Sequence, residues 1–216
     1  MTHATTALAL AQRLRQEIND GIWPPGEVLR QEELAVRYGA SRIPVREALQ
    51  LLGSEGLIEV IPNRGAHIPM LSAAQLAEIF ELRLMLETFL LTRAIDGHTP
   101  KTLVRLEAVQ AELELEDSRS GWITGDRSFH DTLYEPAHKP QALQMVMQLR
   151  GRVERFALRD MGPDTRRVAW GHEHRELIAA VKRKDAAAAT ASLIEHLNKT
   201  HRAIASHLAA LNANPR

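Results

Sequence analysis

A mainly α-helical chain in two parts is what this sequence predicts: short helices with a small β-hairpin first, then an all-helical bundle. Three observations carry that expectation. Apolar residues recur at helical spacing through most of the 216 residues. β-prone runs occur in one place, Leu57 to Val60 and Ala66 to Ile68, around the turn Pro62-Asn63-Arg64-Gly65. Near residue 70 the composition shifts to one rich in Ala, Leu, Glu, Arg and Gln, with no convincing strand beyond it. Domain boundaries are therefore expected at 1–70 and 71–216.

The elements follow in chain order. Leu10, Leu14 and Ile18 mark a helix over 6–19, which Gly21 ends before the rigid turn Trp23-Pro24-Pro25-Gly26. A second helix covers Gln31 to Tyr38, with Leu34 and Ala35 inward and Gly39 placed for a left-handed cap. Ser41 stands as N-cap of the third, and Pro44 is tolerated in its first turn. Val45, Ala48, Leu49 and Leu52 fall at core spacing there, while Arg42 and Arg46 share another face. After the hairpin, Ser72 and Gln75 form a capping box opening a helix to about residue 95. Further helices are expected at 100–118, 122–134, 140–160, 165–183 and 185–210, interrupted by His98-Thr99-Pro100, Gly121, Glu135-Pro136 and Gly162-Pro163. Short connections of this kind favour an antiparallel bundle.

Composition narrows the function classes. With 44% hydrophobic and 25% charged residues, the chain has the balance of an ordinary globular protein. No apolar run approaches the roughly 18 residues needed to span a bilayer, so no membrane partner is expected. The N-terminus lacks a basic leader and reads as a helix rather than a signal peptide. Cysteine is absent, which excludes disulfides and thiolate ligands and fits a cytoplasmic location.

The segment Gly39–Gly65, GASRIPVREALQLLGSEGLIEVIPNRG, outlines a winged helix-turn-helix, a module that sets a helix in the DNA major groove. Arginine forks suit guanine edges and phosphates, and helix N-termini attract phosphate. Ser41, Arg42 and Arg46 lie at such an end, and Arg64 with Gly65 occupies the hairpin turn. Bulk charge does not help. Residues 1–70 hold seven Arg and no Lys against eight Asp and Glu, so any DNA affinity depends on concentrating arginines on one face.

The ten histidines are the second signal. Asp126 and His130 are four apart on one predicted helix, His174 sits beside Leu177, Ile178 and Val181, and His196 lies in the last helix. One carboxylate and three imidazoles can hold Zn²⁺ or a similar divalent ion and leave coordination positions open. His172 points away from His174, and His201 sits poorly on the face of His196. His67, His98, His138 and His207 read as surface. Trp122 and Trp170 read as cover for the bundle.

Residues 8–69 resemble the N-terminal domain of GntR-family transcriptional regulators. The matching words are Pro25-Gly26, Glu33-Leu34-Ala35, Ser41-Arg42-x-Pro44-Val45-Arg46-Glu47-Ala48-Leu49, Glu55-Gly56-Leu57 and Arg64-Gly65. The resemblance implies that Ser41, Arg42 and Arg46 contact DNA and that Gly65 lies at the wing tip. Where some members carry a basic residue early in the second helix, this chain has Arg30 followed by Glu32 and Glu33. Residues 72–210 resemble the FCD effector domain, which places the chain in the FadR-type branch. The matching elements are Glu81-Leu82-Arg83 with Glu87, Asp126-x-x-Phe129-His130, His174-x-x-Leu177-Ile178 and His196-Leu197. This resemblance implies that Asp126, His130, His174 and His196 hold a divalent metal and that Arg83 helps bind an anionic effector.

The expected function is a homodimeric repressor on near-palindromic operator DNA, its affinity set by a small carboxylate or sugar acid at a zinc, nickel or manganese site. Two alternatives stay open: a purely structural metal, and a metal-dependent hydrolase with Glu173 as the one nearby base. The expectation is that the protein is not an enzyme.

Overall fold

A computed structural model describes residues 6–62, 65–157 and 163–213. The chain forms two compact units, Met1–Met70 and Leu71–Arg216.

In the first unit, α1 (Ala7–Asn19) starts where Thr6 Oγ1 accepts from the Ala9 N–H at 3.2 Å. It buries Leu10, Ala11, Leu14 and Ile18 against α3 (Arg42–Ser54), which turns Val45, Ala48, Leu49 and Leu52 inward as their spacing predicts. Between them, α2 (Gln31–Tyr38) ends at Gly39 with φ +60°. The sheet has three strands rather than two: β1 (Val28–Arg30), β2 (Glu59–Ile61) and β3 (Gly65–His67), in antiparallel order β1-β3-β2. Only Leu29 of β1 points inward, so three residues offer no alternation for a sequence reading to catch. Gly65 pairs with Arg30 on one side and Ile61 on the other. Its φ is +132°, and a Cβ there would lie 2.0 Å from the Leu29 carbonyl oxygen. Glycine is therefore required by the backbone that closes over it.

One buried carboxylate ties this unit together. Glu17 accepts from Trp23 Nε1 at 2.9 Å, Tyr38 Oη at 2.8 Å, and the guanidiniums of Arg13 and Arg37 at 3.3 Å each. Those partners come from α1, the proline turn and α2, which short apolar contacts alone would leave loosely joined. Burial works to raise the Glu17 pKa, but the Tyr38 and Trp23 hydrogen bonds and the Arg37 charge outweigh it, and the pKa is lowered. Burial beside Glu17 pushes the Tyr38 hydroxyl up to about 12.

The second unit comprises α4 (Ala73–Gly97), α5 (Pro100–Leu115), α6 (Arg119–Tyr134), a 3₁₀ turn (Glu135–Ala137), α7 (Pro140–Ala157), α8 (Pro163–Lys182) and α9 (Ala186–Ala213). The predicted capping box forms: Ser72 Oγ accepts from the Gln75 N–H at 3.2 Å, and Gln75 Oε1 accepts from the Ser72 N–H at 3.0 Å. Gly121 does not interrupt the chain as expected. Ser118 caps α6 by accepting from the Gly121 N–H, so that glycine lies in the first turn, where a Cβ would run into the Glu116 carboxylate. Helix α4 packs against α9, α7 and the 3₁₀ turn around Leu90, Leu91, Phe129, Leu133, Leu193 and Leu197. No described helix is long and apolar enough to cross a membrane.

Two histidines expected at the surface are buried. His98 donates from Nε2 to the Leu133 carbonyl at 3.1 Å, and its Nδ1 lies 3.2 Å from Thr102 Oγ1, so the ring ties the end of α4 to α6. His207 is 6% exposed on the inner side of α9. His98 caps the end of α4, where periodicity loses its power to tell inside from outside, whereas His207 falls in register with Ile204 and Leu208 on the buried stripe of α9.

The Glu17 cluster yields a prediction in full-length protein. Its carboxylate contributes stability that is fully present above the ordinary value of 4.5 and lost as pH falls through the lower folded value. Glu17→Ala should cost about 1–3 kcal/mol and speed amide exchange in α1 and α2, with the acid-side loss of protection flattened. Unchanged exchange in both helices would show that the cluster is incidental.

Candidate metal centre and nucleic-acid interface

The candidate nucleic-acid surface begins at the start of α3. Ser41, Arg42 and Arg46 are all exposed, one helical turn separating the two arginines. Ser41 has the extended backbone of an N-cap, yet its hydroxyl makes no capping hydrogen bond. That corrects the expectation of a side-chain cap, and the reason is local. Of the two N–H groups such a cap could use, the one at N3 is missing because that residue is Pro44. The hydroxyl is thereby left at the helix end, where a phosphate oxygen fits. Arg42 donates to Glu32 at 2.6 Å, with both side chains more than two-thirds exposed. An ion pair this open contributes little, so phosphate can compete for the guanidinium. Arg30 is likewise paired, to Glu33 at 2.9 Å.

Gly65 stands elsewhere than at an open tip. It is buried and opens β3, serving the sheet through its backbone. Arg64 lies outside the described residues.

The metal-ligand candidates converge inside the helical unit. Asp126 and His130 come from α6, His174 from α8 and His196 from α9. The three imidazoles each offer a nitrogen, and those nitrogens lie within 4.8 Å of one another. Asp126 Oδ1 is 3.8 Å from His130 Nε2 and 3.5 Å from His174 Nε2. All three rings are buried, His130 completely.

Outer partners orient each ring. The Tyr134 hydroxyl donates to Glu87 Oε2 at 2.7 Å, which leaves its oxygen to accept from His130 Nδ1 at 3.3 Å. His174 Nδ1 donates to Gln110 Oε1 at 2.8 Å, and His196 Nδ1 to Glu173 Oε2 at 2.8 Å. With every Nδ1 committed outward, the Nε2 lone pairs face inward, and those of His130 and His174 have no hydrogen-bond partner. Burial lowers the pKa of both rings well below its ordinary value. For His130 the Arg150 charge adds to this, and for His174 the charges of His196 and Arg150 do. Neutral imidazoles with converging lone pairs beside a carboxylate fit a divalent cation.

Two buried guanidiniums complete the site. Arg83 donates from Nε to Glu87 Oε1 at 2.6 Å and lies over the Phe80 ring. Arg150 on α7 donates to Glu87 Oε2 at 3.2 Å and to Asp126 Oδ2 at 2.5 Å. Burial alone would raise Glu87, but Arg83, Arg150 and the Tyr134 hydroxyl hold its carboxyl below the usual range. A cavity beside the histidines is lined by Arg83, Arg150, Asp126, His196, Trp122 and Trp170. The two indoles pack with centroids 4.6 Å apart.

Sequence reasoning missed Arg150, Gln110 and Tyr134. Arg150 carried a usable signal, since it occupies an interior position of α7 between Val146 and Val153. Gln110 and Tyr134 carried none, because nothing local says what lies across a helix interface.

Comparison with known proteins gives the same architecture. Residues 6–68 match the bacterial regulatory proteins of the gntR family, and residues 78–199 match the FCD domain. The gluconate operon transcriptional repressor of Bacillus subtilis (strain 168) is 30% identical over 210 residues, covering 92% of this chain and 84% of that protein. The HTH-type transcriptional regulator YdhC of the same organism is 28% identical over 197 residues, with 88% and 87% covered. The structure of McbR/YncC from E. coli superposes with a TM-score of 0.79 at 25% identity, covering 96% of this chain and 98% of that one. The chain belongs to the GntR family of bacterial regulatory proteins, in the group that joins the winged domain to an FCD domain. It is a DNA-binding transcriptional regulator.

Arg150 gives this site its stability test. Arg150→Met leaves the buried Asp126 and part of Glu87 without a counter-charge, and should cost about 3–5 kcal/mol in urea unfolding. A loss below 1 kcal/mol would show that the charges are not coupled.

Proposed function

We propose that the protein is a metabolite-responsive repressor whose operator affinity is set by a small carboxylate or sugar acid bound beside a divalent metal in the FCD domain. The observation that carries this reading is the set of inward Nε2 atoms next to a cavity whose wall includes two guanidiniums. Asp126, His130, His174 and His196 would hold the ion, with zinc the first choice and nickel or manganese compatible with the same donors. The bound ion would supply an open coordination position for a carboxylate oxygen. Arg83 would receive that carboxylate's charge, and Arg150 holds Asp126 in place for the ion. The name of the gluconate operon repressor favours a sugar acid.

On the DNA side, Ser41, Arg42 and Arg46 would read and grip the operator from the start of α3. Gly65 would contribute by shaping the wing, and Arg64 would add a further contact to DNA. Two copies acting on a near-palindromic site suit the exposed apolar residues Leu82, Met85 and Phe89 on one face of α4, which a second copy would cover. The effector acts if it binds one conformation of the regulator better than another, since that difference alone shifts the equilibrium. A cytoplasmic location follows from this role.

A hydrolase needs a free base near the metal. Glu173 instead accepts from His196 at 2.8 Å and from Lys199 at 3.0 Å, which makes it an orienting group. A non-enzymatic role is the reading that arrangement supports.

DNA duplexes selected from a random pool by the full-length protein provide the test. Arg42→Ala/Arg46→Ala should weaken binding to the selected duplex by about 10-fold or more. Equal affinity would sink the DNA-reading assignment. His174→Ala should lose bound metal and effector response together. Full response without metal would leave the ion no part in sensing, and loss of fold with the metal would make it structural.

A further inference from the structure

Each imidazole of the cluster is anchored on its outer side by a carboxylate, and one of the three carboxylates stands near the surface. His196 Nδ1 meets Glu173 directly, and His130 Nδ1 reaches Glu87 through the Tyr134 hydroxyl. His174 Nδ1 lies 2.8 Å from one terminal atom of the buried Gln110 side chain, whose other terminal atom lies 2.8 Å from Glu114 Oε1. Glu114 Oε1 also accepts from Arg175 Nη1. A relay therefore runs from a buried ring on α8 across the interface to α5 and out to an ion pair. The side chains of Glu114 and Arg175 are 37% and 54% exposed.

The direction of the relay follows from donor chemistry. A carboxylate only accepts, so Gln110 must turn its NH₂ to Glu114 and its carbonyl to the ring. Burial lowers the His174 pKa well below its ordinary value, and a neutral imidazole carries one proton. Facing a carbonyl, that proton belongs on Nδ1, which leaves the Nε2 lone pair for the cluster. Two other neighbours do not place the proton there. Phe129 stacks on the ring with centroids 4.0 Å apart and planes 9° apart, a contact that fixes the plane and is indifferent to the proton. Asp126 Oδ1, 3.5 Å from Nε2, pulls the proton the other way, but it makes no hydrogen bond there. Without Glu114, Gln110 could turn over and donate its NH₂ to Nδ1. The proton would then sit on Nε2, between the rings, where a cation needs a lone pair.

We propose that Glu114 is a positioning residue for the metal centre: through Gln110 it fixes the tautomer of His174 and keeps the Nε2 lone pair turned into the cluster. Its use to the protein rests on the metal reading above, whereas the tautomer itself is present without any ion.

Long-range proton–nitrogen correlation spectra of metal-free full-length protein, isotope-labelled in its histidine rings, report the tautomer of each imidazole. His174 should carry its proton on Nδ1 in the wild type. Glu114→Gln removes the acceptor-only group, so the Nε2-protonated form should appear and zinc affinity should fall about 10- to 100-fold. Arg175→Gln breaks the same ion pair but leaves the carboxylate on Gln110, so tautomer and zinc affinity should stay as in the wild type. Exchanging the two groups, Gln110→Glu with Glu114→Gln, sets a carboxylate directly on Nδ1, as Glu173 stands to His196, and should restore both. A wild-type ring protonated on Nε2, or an unchanged tautomer in Glu114→Gln, overturns the proposal. Equal losses in Arg175→Gln and Glu114→Gln also overturn it, since the ion pair rather than the relay would then hold the site. A tautomer shift in Glu114→Gln, with zinc bound by neither wild type nor variant, supports the relay and overturns the metal reading.

Discussion

Charges inside the helical unit are tolerable only because they are matched, and the candidate site depends on that constraint. Removing an ion from water costs several kcal/mol even after relaxation. Here Arg83 and Arg150 face Glu87 and Asp126, and the Tyr134 hydroxyl takes up another position on Glu87. Because Tyr134 donates to that carboxylate, its oxygen accepts from His130, and the orientation of an imidazole follows from the placement of an ion pair. Asp126 is shared between Arg150 on one oxygen and the histidine nitrogens on the other. The site is thus one electrostatic unit spread over α4, α6 and α7, joined to α8 and α9 through His174 and His196.

The winged unit works under a different constraint. With seven arginines against eight acidic residues, it has no basic field to offer. Several acids are spent internally. Glu17 gathers Arg13, Arg37, Tyr38 and Trp23 inside the unit, and Glu55 clamps Arg15 through both oxygens at 2.6 and 2.9 Å. Glu32 is different, because it pairs with an arginine of the exposed helix end. On the proposal that Arg42 grips DNA, binding would exchange one weak ion pair for another and favour sites where geometry, rather than charge alone, rewards the exchange.

Much of this was legible in the chain. Helical periodicity placed the helices to within a few residues, and the run Val45, Ala48, Leu49, Leu52 gave the buried face of α3 directly. The capping box at Ser72 marked the start of α4 because its two hydrogen bonds depend on residues three apart. The misses have two causes. Strand β1 exists because β3 passes beside it, Gly121 sits within a helix because Ser118 caps it, and Pro44 removes one of the two donors a Ser41 cap would use. The first is non-local, and the other two turn on one residue's position relative to a boundary that periodicity places only approximately.

The sequence by itself determined the two-part helical architecture and the face of α3 that carries Arg42 and Arg46, while the candidate ligand set came from the family resemblance. The architecture and that face are properties of spacing and residue type, and spacing on a helix is a local matter. Only the tertiary structure decided that Arg150 faces Asp126 and that Gln110 and Glu173 turn two imidazoles inward. Each depends on which helix lies across an interface and at what height. A partner's position there is set by the packing of the whole bundle, and nothing in a single helix encodes it.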